Sequence, residues 1–202
     1  MQVLIPITSQ SPFFPAEDYF FPKPLIEVAG RPMIELVVSR LQVNLRDPSF
    51  VVVVSSADVR DYSIDRIVRL AAKKEVRVLE RAAATHGALC SCLLAIDALD
   101  AEAPLLIVNS DQIINVDLAG HIERFDNAGA DAGVITFDSS HPRWSYVQTE
   151  GQRVVQAFEK RVVSRNAIAG VYYFRRARTF IDAAQKAIIN NANVAGSFYI
   201  SA

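Results

Sequence analysis

Between Gln2 and Val38 the chain passes from an apolar run (Val3, Leu4, Ile5) through a loop and the Pro22-Lys23-Pro24-Leu25 segment into a helical pattern that begins near Pro32. No other stretch restricts the fold as much. A helix start offers unpaired backbone N–H groups and the positive end of its dipole to whatever sits above the preceding strand, which suits a phosphate. Yet the loop from Thr8 to Phe14 has no glycine. A backbone that must approach a phosphate closely ordinarily uses glycine to reach φ > 0.

Downstream, short apolar runs and helical periodicities alternate. Pro32 stands where the first turn of a helix tolerates it, and Met33, Ile34, Val37, Val38 and Leu41 follow at helical spacing. Phe50 to Val54 is a continuous apolar run, suited to a strand buried on both faces of a parallel sheet. One helix is expected from Asp58 to Lys74, with Val59, Tyr62, Ile67, Leu70 and Ala71 as its inner stripe, then a strand over Glu75 to Leu79. His86 to Leu99 reads as helix, Pro104 to Val108 as a buried strand, Asp117 as the N-cap of a helix ending at Asn127, and Ala132 to Phe137 as a strand. Strand patterns then crowd together at Trp144 to Gln148, Arg153 to Phe158 and Ile168 to Phe174, before a last helix over Ala177 to Ile189. The expected fold is α/β, a Rossmann-like doubly wound mixed sheet. Residues 1–138 form its βα core, and 139–202 a β-rich extension over the sheet's active edge, all within one domain.

Composition narrows the partners. A formal charge of −1 gives no basic field for nucleic acid, and no apolar run approaches the ~18 residues that span a bilayer. The start MQVLIPIT lacks a basic region and a small-residue cleavage site, so it reads as a first strand. Cys90 and Cys92 diverge on a helix and read as core thiols in a reducing cytoplasm. His86, His121 and His141 fall in no metal-binding spacing.

Position singles out four groups. Asp111, in Asn109-Ser110-Asp111 after the run LLIV, stands at a strand's carboxyl end, where open parallel sheets bind ligands. It either holds Mg²⁺, a cation that takes oxygen ligands, or braces a turn. Lys23, stiffened by a proline on each side, meets a phosphate or is solvated. Glu159-Lys160 ends a strand, and Gly87-Ala88 opens a helix, where a small residue admits a flat ligand or a packing neighbour.

Taken together, KPLIEVAGRPMIELVVSRL, NSD, WSYV, FEK and GVYYF resemble, in order and spacing, the segments of the sugar-1-phosphate nucleotidylyltransferases. The resemblance covers essentially the whole chain. It implies transfer of a nucleoside monophosphate from an NTP to a sugar phosphate with release of pyrophosphate, for polysaccharide precursor synthesis. It further implies Mg²⁺ on Asp111, phosphate contacts from Lys23, and a nucleotide site made of Thr8, Ser9, Gln10, Ser11, Gly87, Ala88, Asn109 and Ser110. Tyr146, Glu159, Lys160 and Gly170 would face the sugar phosphate. NTP and sugar phosphate are then the partners, with self-association a further expectation.

The chain departs from that family's first loop, GxGxR. Ser9-Gln10-Ser11-Pro12-Phe13 has serine in both glycine places and phenylalanine for the arginine. A charge-assisted hydrogen bond is worth about 1.5–3 kcal/mol, so the missing arginine alone corresponds to a tenfold to hundredfold weaker hold on a triphosphate. No acidic residue follows Asp182. Two alternatives therefore stay open: a catalytically impaired relative that binds nucleotide, nucleotide-sugar or a protein partner, and a nucleotide-sugar glycosyltransferase, against which the lack of a DxD pair argues.

Overall fold

The structure is a computed structural model and describes residues 1–7, 14–15 and 17–201. Four parallel strands form its first half: β1 (Gln2–Ile7), β4 (Ser49–Ser55), β5 (Val76–Arg81) and β6 (Leu105–Val108), in the spatial order β5-β4-β1-β6. Between β1 and β4 lies a small hairpin, β2 (Glu27–Val28) and β3 (Arg31–Pro32), which turns through Ala29 and Gly30, both at positive φ, and leads into α1 (Met33–Asn44).

Strand side chains alternate between two faces, and each face is covered. Val3, Ile5, Phe50, Val52, Leu106 and Val108 join one core cluster with α1, with Ile64 and Val68 of α3 (Ile64–Ala72), and with Leu118 and Ile122 of α5 (Leu118–Asn127). Leu4, Val51, Val53, Leu105 and Ile107 join a second cluster with Leu89 and Cys92 of α4 (Ala88–Leu93) and with Ala177, Phe180 and Ala184 of α6 (Ala177–Ile189). At about 1.5–3 kcal/mol for each large apolar side chain taken fully out of water, these two layers dominate the stability. The sheet is doubly wound, as expected. Asp117 caps α5 by accepting from Gly120 N at 3.0 Å.

The second half completes the same sheet. Strand β10 (Asn166–Phe174) runs antiparallel beside β6, with Val171 opposite Val108, while β7 (Ala132–Asp138) pairs with its other edge. The hairpin β8 (Tyr146–Glu150) and β9 (Arg153–Phe158) joins β10 at Ala167, beyond the end of β6. The β-rich C-terminal part thus lies in the plane of the sheet and extends it past the carboxyl ends of the parallel strands.

Three boundaries differ from expectation. The helix expected from Asp58 to Lys74 is two, α2 (Ser56–Tyr62) and α3, broken at Ser63 in the left-handed region at φ 51°. Of the expected stripe, Ala71 is buried and Val59, Tyr62 and Ile67 pack against the core, but Leu70 is 76% exposed, while Ile64 and Val68, outside that stripe, are fully buried. The helix expected over His86 to Leu99 is only α4 followed by a 3₁₀ turn at Ile96–Ala98. Strand β8 begins at Tyr146, leaving Trp144 in a turn. Ile64→Ala should cost about 2–4 kcal/mol, and Leu70→Ala less than about 0.5 kcal/mol, by urea unfolding; equal losses would restore the expected stripe.

Candidate active site

Strand β1 lies between β4 and β6, so the chain leaves it in opposite directions on its two sides. That makes the carboxyl ends of β1 and β6 a topological switch point, the crevice where open α/β sheets take ligands. Leaving β6, Asn109 donates its N–H to Gly170 O on β10 at 2.9 Å, which fixes the start of the Asn109-Ser110-Asp111 turn. Gly170 has φ +67°, and a Cβ there would come within 2.4 Å of the Asn109 and Gln112 side-chain amides. A glycine is required at this crossing of β10 and the turn.

Lys23 reaches the crevice from a 3₁₀ turn, Lys23–Leu25, whose Pro24 and Leu25 are buried. Burial of Leu25 against the α1 layer, together with the fixed φ of Pro22 and Pro24, aims the lysine. Its Nζ lies 3.1 Å from Asp111 Oδ2, with the two side chains only 10% and 22% exposed. Two residues 88 positions apart in sequence thus meet as a partly buried ion pair at the switch point.

The sugar-side residues expected from sequence separate into two groups. Tyr146 and Phe158 pair across β8 and β9, so Ser145 and Glu159, which flank that pair, are side by side. Glu159 Oε2 accepts from Ser145 Oγ and, at 2.7 Å, from Ser201 Oγ. Lys160, at φ 50°, sets its ammonium 5.5 Å from the centre of the Tyr199 ring and 3.5 Å from its hydroxyl. Tyr146 itself is fully buried and donates its hydroxyl to His141 O at 2.7 Å. Where a ligand-facing aromatic was expected, the structure has a core residue.

On the nucleotide side, Gly87 precedes α4 at φ +103°, and Ala88 is the first helical residue. A Cβ on Gly87 would lie 2.3 Å from Phe198 O, because Phe198 bridges to His86 O (2.8 Å) and Leu89 N (3.2 Å). Here glycine makes room for the chain itself. Ser110 is buried, and Thr8, Ser9, Gln10 and Ser11 lie outside the described residues. Among the described residues no three of His, Cys, Asp and Glu converge as a metal cluster.

A family model for nucleotidyl transferases matches residues 19–193. The chain belongs to the nucleotidyl transferase family. Solved structures of similar fold include a nucleoside-diphosphate-sugar pyrophosphorylase from Vibrio cholerae RC9, 20% identical, TM-score 0.80, over all of this chain and 84% of that one. A UDP-glucose pyrophosphorylase solved with UDP-glucose is 14% identical, TM-score 0.76, over 99% and 83% of the two chains. HddC from Yersinia pseudotuberculosis is 15% identical, TM-score 0.71, again over 99% and 83%. No curated protein matches the chain.

Sequence reasoning missed Ser145, which lies in WSYV but was passed over for Tyr146, and Phe198, Tyr199 and Ser201, which carry no charge and stand in no quoted motif. The signal for Ser145 was its place in WSYV, next to the Tyr146–Phe158 pair that ends the hairpin register just before Glu159. The cysteines are outside the site's chemistry. Burial pushes the Cys92 thiol well above its ordinary value, and partial burial raises Cys90. Burial likewise raises Tyr172 and Tyr173. Groups held neutral by the fold stabilise it below their unfolded pKa and stop doing so as pH rises. Unfolding free energy should therefore fall from about pH 9 upward, and Cys92 should resist thiol reagents until the chain unfolds. A flat profile to pH 11 would contradict this.

Proposed function

We propose that this chain transfers a nucleoside monophosphate from an NTP to a sugar phosphate, making a sugar nucleotide for polysaccharide synthesis in the cytoplasm. The Lys23–Asp111 pair at the switch point carries the reading, since it supplies opposite charges where a triphosphate would cross from β1 to β6. A phosphate oxygen of the sugar phosphate attacks the α-phosphorus, a new P–O bond forms, and the bond to the leaving pyrophosphate breaks.

Chemistry of this kind depends on alignment and charge neutralisation. Lys23, held by its prolines, would shift its ammonium from Asp111 to the nonbridging oxygens as the more highly charged triphosphate arrives. Asp111 fits a divalent cation as a single carboxylate anchor, because Mg²⁺ commonly takes one or two carboxylates and fills its shell with phosphate oxygens and water. Such a cation, when bound, neutralises charge at the reacting phosphates. Ser9, Ser11, Gln10 and Thr8 would replace the missing glycine amides with side-chain donors. Asn109, Ser110, Gly87 and Ala88 would line the nucleotide side, and Glu159, Lys160 and Gly170 the sugar side, within one domain.

The glycine-free and arginine-free first loop favours a second reading, in which the chain binds a nucleotide or sugar nucleotide without turnover. Pyrophosphate release from NTPs, hexose 1-phosphates and Mg²⁺ separates the two. On the transferase reading, Asp111→Asn should lower the rate at least a hundredfold, and Lys23→Ala should lower kcat/KM tenfold to a hundredfold, both variants remaining folded by circular dichroism. No release by the natural chain, together with a thermal shift by NTP or sugar nucleotide, would select the binding reading.

A further inference from the structure

Glu159 has its two hydrogen bonds on one oxygen. Both Ser145 and Ser201 donate to Oε2, and the two hydroxyl oxygens are 3.2 Å apart. Ser201 is 6% exposed and also contacts the buried Tyr172 hydroxyl. A serine hydroxyl has one proton, and the charged acceptor takes it in preference to a neutral one. The two serines thus converge on one Glu159 oxygen.

The position of Ser201 is set from elsewhere. Three residues earlier, Phe198 is fastened at both its N–H and its C=O to the His86 and Leu89 backbone at the start of α4. That segment crosses from the α4 side of the crevice to the hairpin side and delivers Ser201 to Glu159.

We propose that Ser201 is a positioning residue that holds Glu159 through Oε2, so that Oε1 is presented in a fixed direction to a hydroxyl of the sugar phosphate. This rests on the sugar-side assignment of Glu159 made above. A glutamate has three rotatable side-chain bonds, and a ligand that must arrest them loses affinity to the entropy of doing so. Fixing the carboxylate beforehand from the buried Ser201 and the half-buried Ser145 removes that cost, and leaves the second oxygen's lone pairs for the ligand.

The test uses the full chain and compares Ser201→Ala with Ser201→Thr, which keeps the hydroxyl. Hexose 1-phosphates are titrated by calorimetry, and KM values are measured separately for sugar phosphate and for NTP. Ser201→Ala should weaken sugar-phosphate binding and raise its KM about tenfold, leave the KM for NTP unchanged, and be rescued by Ser201→Thr. Should Ser201→Ala fail to fold, Ser145→Ala, which removes the other donor, is expected to give the same selective loss. Equal losses for both substrates, or no change for either, would overturn the inference, as would a natural chain that binds no hexose 1-phosphate. Selective loss of sugar-phosphate binding without any pyrophosphate release would retain the role of Ser201 and discard the transferase reading.

Discussion

The site depends on how β10 is seated in the sheet. This strand must pair antiparallel with β6 along Val171 to Phe174 and still run on past the end of β6 to support the β8–β9 hairpin. The two tasks meet at Gly170, where positive φ and a β-irregularity bring its carbonyl to Asn109 N. A side chain there would push into the turn that carries Asp111. One backbone contact thus sets the relation between the parallel half of the sheet, with the Lys23–Asp111 pair, and the antiparallel half, with Glu159.

The electrostatics at the switch point follow from this placement. Opposite charges that are mostly removed from water attract more strongly than exposed ones, but each has also lost hydration, so such a pair contributes little net stability. On the proposed transferase reading, its value is in holding the ammonium ready for a triphosphate. A ligand bearing several negative charges competes well with a single carboxylate for the same lysine. Pro22, Pro24 and the buried Leu25 keep the lysine's backbone in place while its partner changes.

Much of the fold was legible in the sequence because its strands are buried on both faces and read as unbroken apolar runs. Phe50 to Val54 and the LLIV run were found within a residue or two, and α6 at its observed ends. The break at Ser63 was not legible, since a serine at positive φ leaves no mark in a helical pattern of hydrophobicity. Nor was the insertion of β10 next to β6, which is a matter of pairing partners more than of local propensity. For the site, a carboxylate at a strand's end pointed to Asp111 and a lysine between two prolines to Lys23, and the two do come together. Tyr146 looked the same in sequence as a ligand-facing aromatic, and only its buried hydroxyl on His141 O places it in the core.

The contacts of the 198–201 segment have a kinetic consequence. Ser201 is 56 residues from Ser145 and 42 from Glu159, and the Lys23–Asp111 pair spans 88. Closing loops of this size costs entropy before any contact repays it, so contacts this far apart in sequence form late in folding. The parallel core closes loops as long, since Gln2 of β1 pairs with Ser49 of β4 and with Leu105 of β6. The core sheet and the cleft thus wait on the same long closures.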